Sequence, residues 1–283
     1  MYEEYFGLSE LPFGITPDTS FFFACNSYQE ALNTLLIAIR NGEGFIKVTG
    51  EVGTGKTLLC RKFMAMLGDG DYITAYIPNP YLTPHSLLLA LTDELELYID
   101  SDADQNHLLT ALNLALMALA DKGKRIVICL DEAQAMPMES LEALRLLTNL
   151  ETEKRKLLQV VLFGQPELNT NLEHESIRQL KQRITFHYEL PPLSKEELNY
   201  YLMHRLSVAG HRSGPLFSQG ALNLLYRASG GVPRLVNILA HKSLMVVYGE
   251  GCRSVSSRHV KTALKDTPAA RHVPLFWRCL AIR

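Results

Sequence analysis

The octapeptide GEVGTGKT at residues 50–57 constrains the fold of this chain more than any other stretch. It fits the pattern G-x-x-x-x-G-K-[ST], and it stands between the apolar run FIKVT and the apolar helical pattern TLLCRKFMAML. Glycines permit a tight turn whose backbone N–H groups converge on an anion, and the N-terminus of the following helix adds partial positive charge. The sequence therefore predicts a strand–loop–helix unit that binds the phosphates of a nucleotide.

The predicted phosphate-binding residues are the octapeptide and the residue after it, namely Gly50, Glu51, Val52, Gly53, Thr54, Gly55, Lys56, Thr57 and Leu58. Two of them have a further predicted role. Lys56 is expected to contact the β- and γ-phosphates and to act in catalysis, and Thr57 is expected to offer its hydroxyl to Mg²⁺. The alternative interpretation is a glycine-rich turn that binds no ligand.

The segment RIVICLDEAQ at residues 125–134 joins a buried strand to two adjacent carboxylates. Asp131 is placed to hold Mg²⁺, directly or through water, and Glu132 is placed to orient or deprotonate an attacking water. Ligands of open α/β sheets bind at the carboxyl ends of the strands. Because this segment follows the phosphate loop by about two strand–helix units, the pair predicts hydrolysis of the nucleotide.

Hydrophobic periodicity predicts strands that alternate with helices up to about residue 190, and helices alone after that point. The predicted strands are 45–50, 71–78, 124–132, 157–165 and 184–190, and the predicted helices are 28–40, 57–67, 84–98, 106–120, 137–151, 195–209, 219–229, 233–248 and 258–265. The pattern indicates an α/β domain with a parallel β-sheet flanked by helices, followed by a small all-helical lid. The predicted domains are residues 1–192 and 193–267, with a C-terminal tail at 268–283.

Local signals predict where the helices of the C-terminal part begin. Ser194 and Glu197 match a capping box, and Ser218 is a candidate N-cap. Pro233 is placed to open the next helix, and Ser257 is the candidate cap of the last one.

Composition favours some classes of protein over others. The chain has 283 residues, 47% hydrophobic and 20% charged, which is typical of a folded globular protein. Its net charge of -2 disfavours a dedicated nucleic-acid binder. The five cysteines (Cys25, Cys60, Cys129, Cys252 and Cys279) show no CxxC spacing, so we expect a reduced, intracellular protein without a cysteine metal site. The segment VPLFWRCLAIR is expected to be a loose end or a contact for a membrane surface or partner.

Together these motifs resemble the AAA+ ATPase superfamily. The segment VVLFGQPEL places Gln165 where that family has its first sensor, although most members have Asn or Thr there. The segment RQLKQRITF resembles the stretch with the arginine finger; Arg183 matches best, and Arg178 is the competing candidate. The segment SGGVPRLVN resembles the second sensor, which implies that Arg234 contacts the γ-phosphate from the lid.

A closer resemblance, extending to about residue 266, is to the general secretion pathway protein A family, whose close relative is protein M of mannose-sensitive haemagglutinin pilus biogenesis. The motifs behind it are FGITPD, the EAL helix, LDEAQ, FGQPEL and GGVPR. The resemblance implies an adenine pocket partly lined by the segment before the phosphate loop.

The resemblance also implies a function. It implies an ATPase that uses ATP and Mg²⁺ in the assembly of a type IV pilus or secretion apparatus. The implied partners are further copies of the chain, which complete the site in trans, and assembly proteins at the inner membrane. The expected location is the cytoplasm, with a peripheral position at the inner membrane as an open alternative. A nucleotide-gated scaffold with slow hydrolysis and a DNA-directed helper ATPase, as in transposition, also stay open.

Overall fold

The computed structural model describes residues 2–68, 71–97, 99, 104–148 and 156–270. The strands in it are β1 (Phe45–Thr49), β2 (Tyr72–Ile77), β3 (Arg125–Leu130), β4 (Leu158–Gly164) and β5 (Ile184–Glu189). The helices are α1 (Glu3–Phe6), α2 (Asn26–Arg40), α3 (Lys56–Leu67), α4 (Pro84–Glu94), α5 (Gln105–Asp121), α6 (Met138–Leu147), α7 (Glu167–Leu172), α8 (Arg178–Arg183), α9 (Lys195–Val208), α10 (Gln219–Ser229), α11 (Pro233–Gly249) and α12 (Ser257–Lys265). Short 3₁₀ turns lie at Thr19–Phe21, Ala133–Ala135 and Glu175–Ile177.

The strands form one parallel sheet in the order β2-β3-β4-β1-β5, which confirms the predicted fold class. β3 and β4 are nearly continuous apolar runs because both of their faces are buried. β3, β4 and β1 are neighbours, so their carboxyl ends lie side by side at one edge. The three sequence motifs follow directly after these three strands.

The chain divides into two compact units, and the sheet unit comprises Asn26–Glu51 and Lys56–Leu190. One layer of its core packs the strand residues Ile128 and Val160 against helical leucines such as Leu112 of α5. Burial of these apolar side chains holds the helices on the sheet and so keeps its carboxyl edge in place.

The helical unit combines residues 2–25, 52–55 and 191–270 of the described chain. α9 to α12 pack on one another, and the backbone N–H of Ser9 donates to the carbonyl of Ala209 at 2.8 Å. The tip of the phosphate loop therefore belongs to the same unit as the C-terminal helices. The predicted domain limits after residues 192 and 267 stay a prediction, and residues 271–283 lie outside the described residues.

The N-terminus of α9 has the capping box that the sequence predicts. Ser194 accepts from the N–H of Glu197, and the Glu197 side chain accepts from the N–H of Ser194, which completes the capping box. Ser218 caps α10, and Pro233 is the first residue of α11.

The prediction that Ser257 caps the last helix is wrong by one residue, because Ser256 has the extended backbone of the cap and Ser257 is already helical. The His259 ring, which accepts from the N–H of Ser256 at 3.0 Å, fixes this register. The usual capping-box pattern has Glu or Gln three residues after the cap, so a histidine at that position does not signal Ser256 as the cap.

Two further helices are shorter than predicted over the described residues. α4 ends at Glu94 because Glu96 has a φ of 55°, and the N–H of Leu97 closes the end on the carbonyl of Thr92 at 2.9 Å. α6 ends at Leu147, and the remainder of that prediction, residues 149–151, lies outside the described residues. Among the described helices, none has both the length and the apolar character that a bilayer crossing requires.

A buried arginine in the helical unit holds the N-terminal segment. The Arg205 side chain is 6% exposed, and its Nε donates to the carbonyl of Pro12 at 2.5 Å. Its Nη2 donates to the carbonyl of Gly14, and its guanidinium lies 4.6 Å from the ring centroid of Phe21. The Tyr201 hydroxyl accepts from Nη1 at 3.3 Å. No sequence pattern predicts this role for Arg205, because surface helices commonly carry arginines that make no such contact.

We expect Arg205→Met to lower the free energy of unfolding by about 1–3 kcal/mol, because it removes the donor to the carbonyl of the buried residue Pro12 and the guanidinium contact with the Phe21 ring. The measurement is urea denaturation at neutral pH. Arg212→Met is the matched control, since Arg212 is exposed and donates only at 3.5 Å to the Ser207 hydroxyl. Equal midpoints for the two variants would contradict a structural role for Arg205.

Candidate active site

The loop between β1 and α3 has the backbone that its glycines require. Gly53 and Gly55 have φ angles of 83° and 93°, which side chains rarely adopt. A Cβ on Gly53 would also lie 2.7 Å from the Cβ of Arg234. The N–H of Gly50 donates to the carbonyl of Gly164 at 3.2 Å, so the loop starts where β4 ends.

The remaining loop residues differ in exposure. Glu51 and Val52 are exposed, Thr54 is buried, and Thr57 and Leu58 are half-buried in the first turn of α3.

Lys56 begins α3, and its side chain turns back into the loop. Its Nζ donates to the carbonyl of Gly50 at 2.8 Å and to that of Glu51 at 3.1 Å, and the residue is 5% exposed. Burial lowers the pKa of Lys56, while the carboxylates of Glu132 and Asp131 act to raise it. The structure thus places an ammonium group beside the two carboxylates that follow β3.

Thr57 and Asp131, the predicted metal pair, are in direct contact. The Thr57 hydroxyl donates to Oδ2 of Asp131 at 2.5 Å, and the N–H of Glu132 donates to Oδ1 at 3.0 Å. Burial raises the pKa of Asp131, and the hydrogen bond from Thr57 opposes this. A hydroxyl and a carboxylate oxygen form the hard donor set that Mg²⁺ prefers, so these residues fit that ion.

Tyr76 of β2 also points its hydroxyl at Asp131, with 3.4 Å between that oxygen and Oδ2. Burial, with the charge of Asp131, raises the pKa of Tyr76 to about 12. The sequence around Tyr76 does not predict this contact, since an aromatic residue in a strand is ordinarily a packing residue.

Glu132 is clamped by two side-chain amides. Its backbone has a φ of 52°, and its Oε2 accepts from Nε2 of Gln134 at 2.6 Å and from Nε2 of Gln165 at 2.9 Å. Burial acts to raise the pKa of Glu132, but these two hydrogen bonds and the charge of Lys56 lower it overall. The carboxylate is therefore ionised and oriented, as a base or a water-orienting group must be.

Gln134 is hydrogen-bonded to the residues that follow β3 and β4. Its Oε1 accepts from the backbone N–H of Gln165 at 2.9 Å, and its carbonyl accepts from Asn171 of α7 at 2.9 Å. Gln134 is part of the LDEAQ motif, from which no role was predicted for it. Its place two residues after Glu132 was the available signal.

Arg183 and Arg178 lie at opposite ends of the short helix α8. Nη1 of Arg183, which is half-buried, donates to the carbonyl of Arg145 and to the Thr148 hydroxyl, both at 3.3 Å. Arg178 is exposed and lines a surface cavity with Lys181. The described contacts of Arg183 therefore tie it to the end of α6.

Arg234 is the second residue of α11, and its backbone N–H donates to the carbonyl of Gly53 at 3.1 Å. The residue is exposed. Within the helical unit, the structure therefore brings this predicted residue directly to the tip of the phosphate loop.

A second group of ligand-type side chains lies in the helical unit. Ligand atoms of Glu250, Cys252 and His259 are within 4.8 Å of one another. Nδ1 of His259 accepts from the N–H of Ser256, so the ring proton is on Nε2, which faces Glu250 at 3.2 Å. Arg258 also pairs with Glu250 at 2.7 Å. Helix capping and ion pairing account for this group, and a metal at Nε2 would require the loss of that proton.

Residues 39–172 match a protein family described as an AAA domain. The chain is also similar to general secretion pathway protein A from Aeromonas hydrophila, with 43% identity over 271 residues. That match covers 96% of this chain and 49% of the relative, so the chain spans about half the length of that protein.

Solved structures share the fold at low sequence identity. The Cdc6p protein of Pyrobaculum aerophilum matches with a TM-score of 0.67 at 19% identity. The match covers 88% of this chain and 70% of the Cdc6p chain. The Aeropyrum pernix ORC2 protein gives 0.64 at 18%, with 91% and 73% covered. The RuvB Holliday junction branch migration motor of Thermotoga maritima gives 0.59 at 15%, with 89% and 73% covered. These likenesses concern the fold.

Proposed function

Because the chain belongs to the AAA+ P-loop ATPases and is related to general secretion pathway protein A, we propose that it hydrolyses ATP with Mg²⁺. The observation that supports hydrolysis most is the amide clamp on Glu132. An ionised, oriented carboxylate next to a buried ammonium group is suited to prepare a water molecule for attack on a phosphate.

The loop residues Gly50 to Leu58 would bind the phosphates. The backbone N–H groups of the loop and the N-terminus of α3 supply positive potential for the phosphate oxygens. Lys56 would exchange its bonds to the loop carbonyls for bonds to the β- and γ-phosphates. Thr57 and Asp131 would hold Mg²⁺, which when bound neutralises charge that develops on the phosphoryl group.

Glu132 and Gln165 would act on the water. Glu132 accepts the proton or orients the nucleophile, and the amide of Gln165 fixes the carboxylate in place. Gln134 is a positioning residue, because it contacts both Glu132 and the backbone of Gln165. Arg234 would contact the γ-phosphate, and its backbone N–H bonds to Gly53, the tip of the loop, within the helical unit.

We expect Glu132→Gln to reduce kcat at least about 100-fold while the Kd for ATP stays unchanged, because the variant loses the base and keeps every phosphate contact. Phosphate release and equilibrium binding are the measurements. Glu139→Gln is the control, since Glu139 is an exposed residue in the first turn of α6. Wild-type protein that binds ATP without phosphate release would instead support the scaffold alternative.

We further propose that copies of the chain associate and that Arg183 of one copy completes the site of the next. β5 is at the end of the strand order, so α8 and Arg183 precede an edge strand. The bonds of Arg183 to Arg145 and Thr148 are long, at 3.3 Å, and can be exchanged for a phosphate at little cost. Arg178 is the alternative donor on the same helix.

Mixing two inactive variants tests this arrangement. Arg183→Ala subunits keep Glu132, and Glu132→Gln subunits keep Arg183, so mixed oligomers should contain complete sites and recover turnover. Specific activity of the wild type should rise with protein concentration. Arg178→Ala in place of Arg183→Ala is the matched control. Activity that is independent of concentration, with no recovery on mixing, would place the arginine in cis or outside the reaction.

The cellular role we propose is assembly of a type IV pilus or secretion apparatus, from the cytoplasmic side of the inner membrane. The relationship to general secretion pathway protein A supports this. The DNA-directed alternative has weaker support, because the net charge is -2 and the likeness to DNA-associated proteins is at the level of the fold.

An affinity purification with the Glu132→Gln chain as bait tests the cellular role. With ATP present, this variant should retain pilus or secretion assembly proteins that a Lys56→Ala bait, deficient in phosphate binding, releases. The DNA-directed alternative would be favoured if the bait retains neither pilus nor secretion assembly proteins and if DNA stimulates turnover in a salt-sensitive way.

A further inference from the structure

The helical unit has an apolar groove between α9 and the start of α10, with a volume of about 320 Å³. Its apolar lining includes Leu202, Met203, Leu206, Leu216, Phe217 and Leu222. We call this cavity the α9–α10 groove. An apolar surface of this kind is stabilised when other apolar groups cover it, because water is then released from both.

One side of the groove is open to solvent. Leu202 and Leu206 are buried, whereas Met203, which lies between them on α9, is 51% exposed. Asn199 and Arg212 belong to the polar part of the lining. The volume is at the lower end of the range for ligand sites, so the groove suits a few side chains of a short segment rather than a folded domain.

The chain itself contains a short segment of matching character. The described part of the chain ends at Ala270, which is buried in the same helical unit as the groove. The segment VPLFWRCLAIR follows at residues 273–283. Its large apolar side chains are those of Leu275, Phe276, Trp277, Leu280 and Ile282. Each of these side chains is stabilised by burial, as the groove lining is.

The part of the chain that leads to this segment starts at the wall of the groove. The N–H of Val255 donates to the carbonyl of Leu216 at 2.8 Å, and the N–H of Ser218 donates to the carbonyl of Val255 at 2.9 Å. Leu216 and its neighbour Phe217 are both lining residues. Val255 therefore lies beside the groove, and α12 begins two residues later.

The C-terminal segment is long enough to return to the groove. Residues 257–270 are α12 followed by hydrogen-bonded turns, so at the rise of a helix Ala270 lies about 20 Å from the start of α12. An extended chain covers that distance with about six residues. Residues 271–276 are therefore sufficient for the return, and Trp277 and the residues after it remain for the groove.

We propose that the segment 273–283 binds in the α9–α10 groove of its own chain, where Trp277, Leu280 and Ile282 cover the exposed side of Met203. Attachment to the same unit gives the segment an effective concentration in the millimolar range, so it outcompetes a second copy or a partner that is present at lower concentration. Arg278 and Arg283 lay their apolar stems on the groove while their guanidinium groups stay in water.

Fluorescence tests this arrangement on the full chain. Trp277 is the only tryptophan in the sequence, so the emission reports on this segment alone. In buffer the emission should lie to the blue of that of the chain unfolded in urea, and acrylamide should quench it less. Met203→Asp places a charge at the open side of the groove and should move the emission to the position measured in urea.

Met245→Asp is the matched control. Met245 is 45% exposed on α11 of the same unit and is not a lining residue of the groove, so this variant should keep the wild-type emission. If Met245→Asp shifts the emission and Met203→Asp does not, the segment covers a different face and the proposal is wrong. Circular dichroism shows whether both variants are folded.

Cross-linking gives a second measurement, which also decides the matter if Met203→Asp does not fold. Met203→Cys treated with a bifunctional maleimide should be linked to Cys279 within one chain, and Met245→Cys should not. Peptide mapping identifies the linked pair. A link between Cys279 and Met203→Cys of two different chains, seen as a dimer on a denaturing gel, would overturn binding within one chain in favour of exchange between copies.

Two further results would contradict the proposal. One is emission in buffer at the position measured in urea, which would mean that Trp277 is exposed to water. The other is a blue shift that occurs only when vesicles of phosphatidylglycerol and phosphatidylethanolamine are added, which would assign the segment to a membrane surface and leave the groove without it.

Discussion

The hydrogen-bonded ladder of three neighbouring parallel strands, β3, β4 and β1, is the constraint on which the candidate site depends. Register along it pairs Thr49 with Gly164 and Leu130 with Leu162, so the three strands end at nearly the same level. The residue after each strand is then delivered to one edge: Gly50, Asp131 and Gln165. Both faces of β3 and β4 are buried, so a shift in register would disrupt close packing on both sides of the sheet and displace these residues from the edge.

Within that frame, two adjacent carboxylates have environments that separate their chemistry. Burial raises the pKa of Asp131, whose carboxylate accepts hydrogen bonds from the Thr57 hydroxyl and from the N–H of Glu132. Hydrogen bonds from two amides and the charge of Lys56 outweigh burial at Glu132 and lower its pKa. Neighbouring acids whose pKa values move in opposite directions usually have different tasks. Here the distinction agrees with a metal-binding role for the first and a role on water for the second.

The helical unit has its own organising group, the buried guanidinium of Arg205. It fixes the carbonyls of Pro12 and Gly14, and Asn237 of α11 donates to the same Gly14 carbonyl at 3.0 Å. The N-terminal segment is thereby hydrogen-bonded to both α9 and α11, and the bond to Pro12 is buried, where its loss is costly. That segment leads directly to Phe23, whose ring centroid lies 5.9 Å from that of Tyr201 on α9.

The sequence by itself determined the parallel sheet, the phosphate loop and the carboxylate pair, because periodicity and short motifs are local properties of the chain. It also determined the capping box at Ser194, whose partner is three residues away. Only the tertiary structure decided that Gln134, Tyr76 and Arg205 have polar roles and that the tip of the phosphate loop packs with the C-terminal helices. Each of these depends on a contact between residues on different elements, such as Arg234 with Gly53, and no local pattern encodes which distant atom a side chain meets.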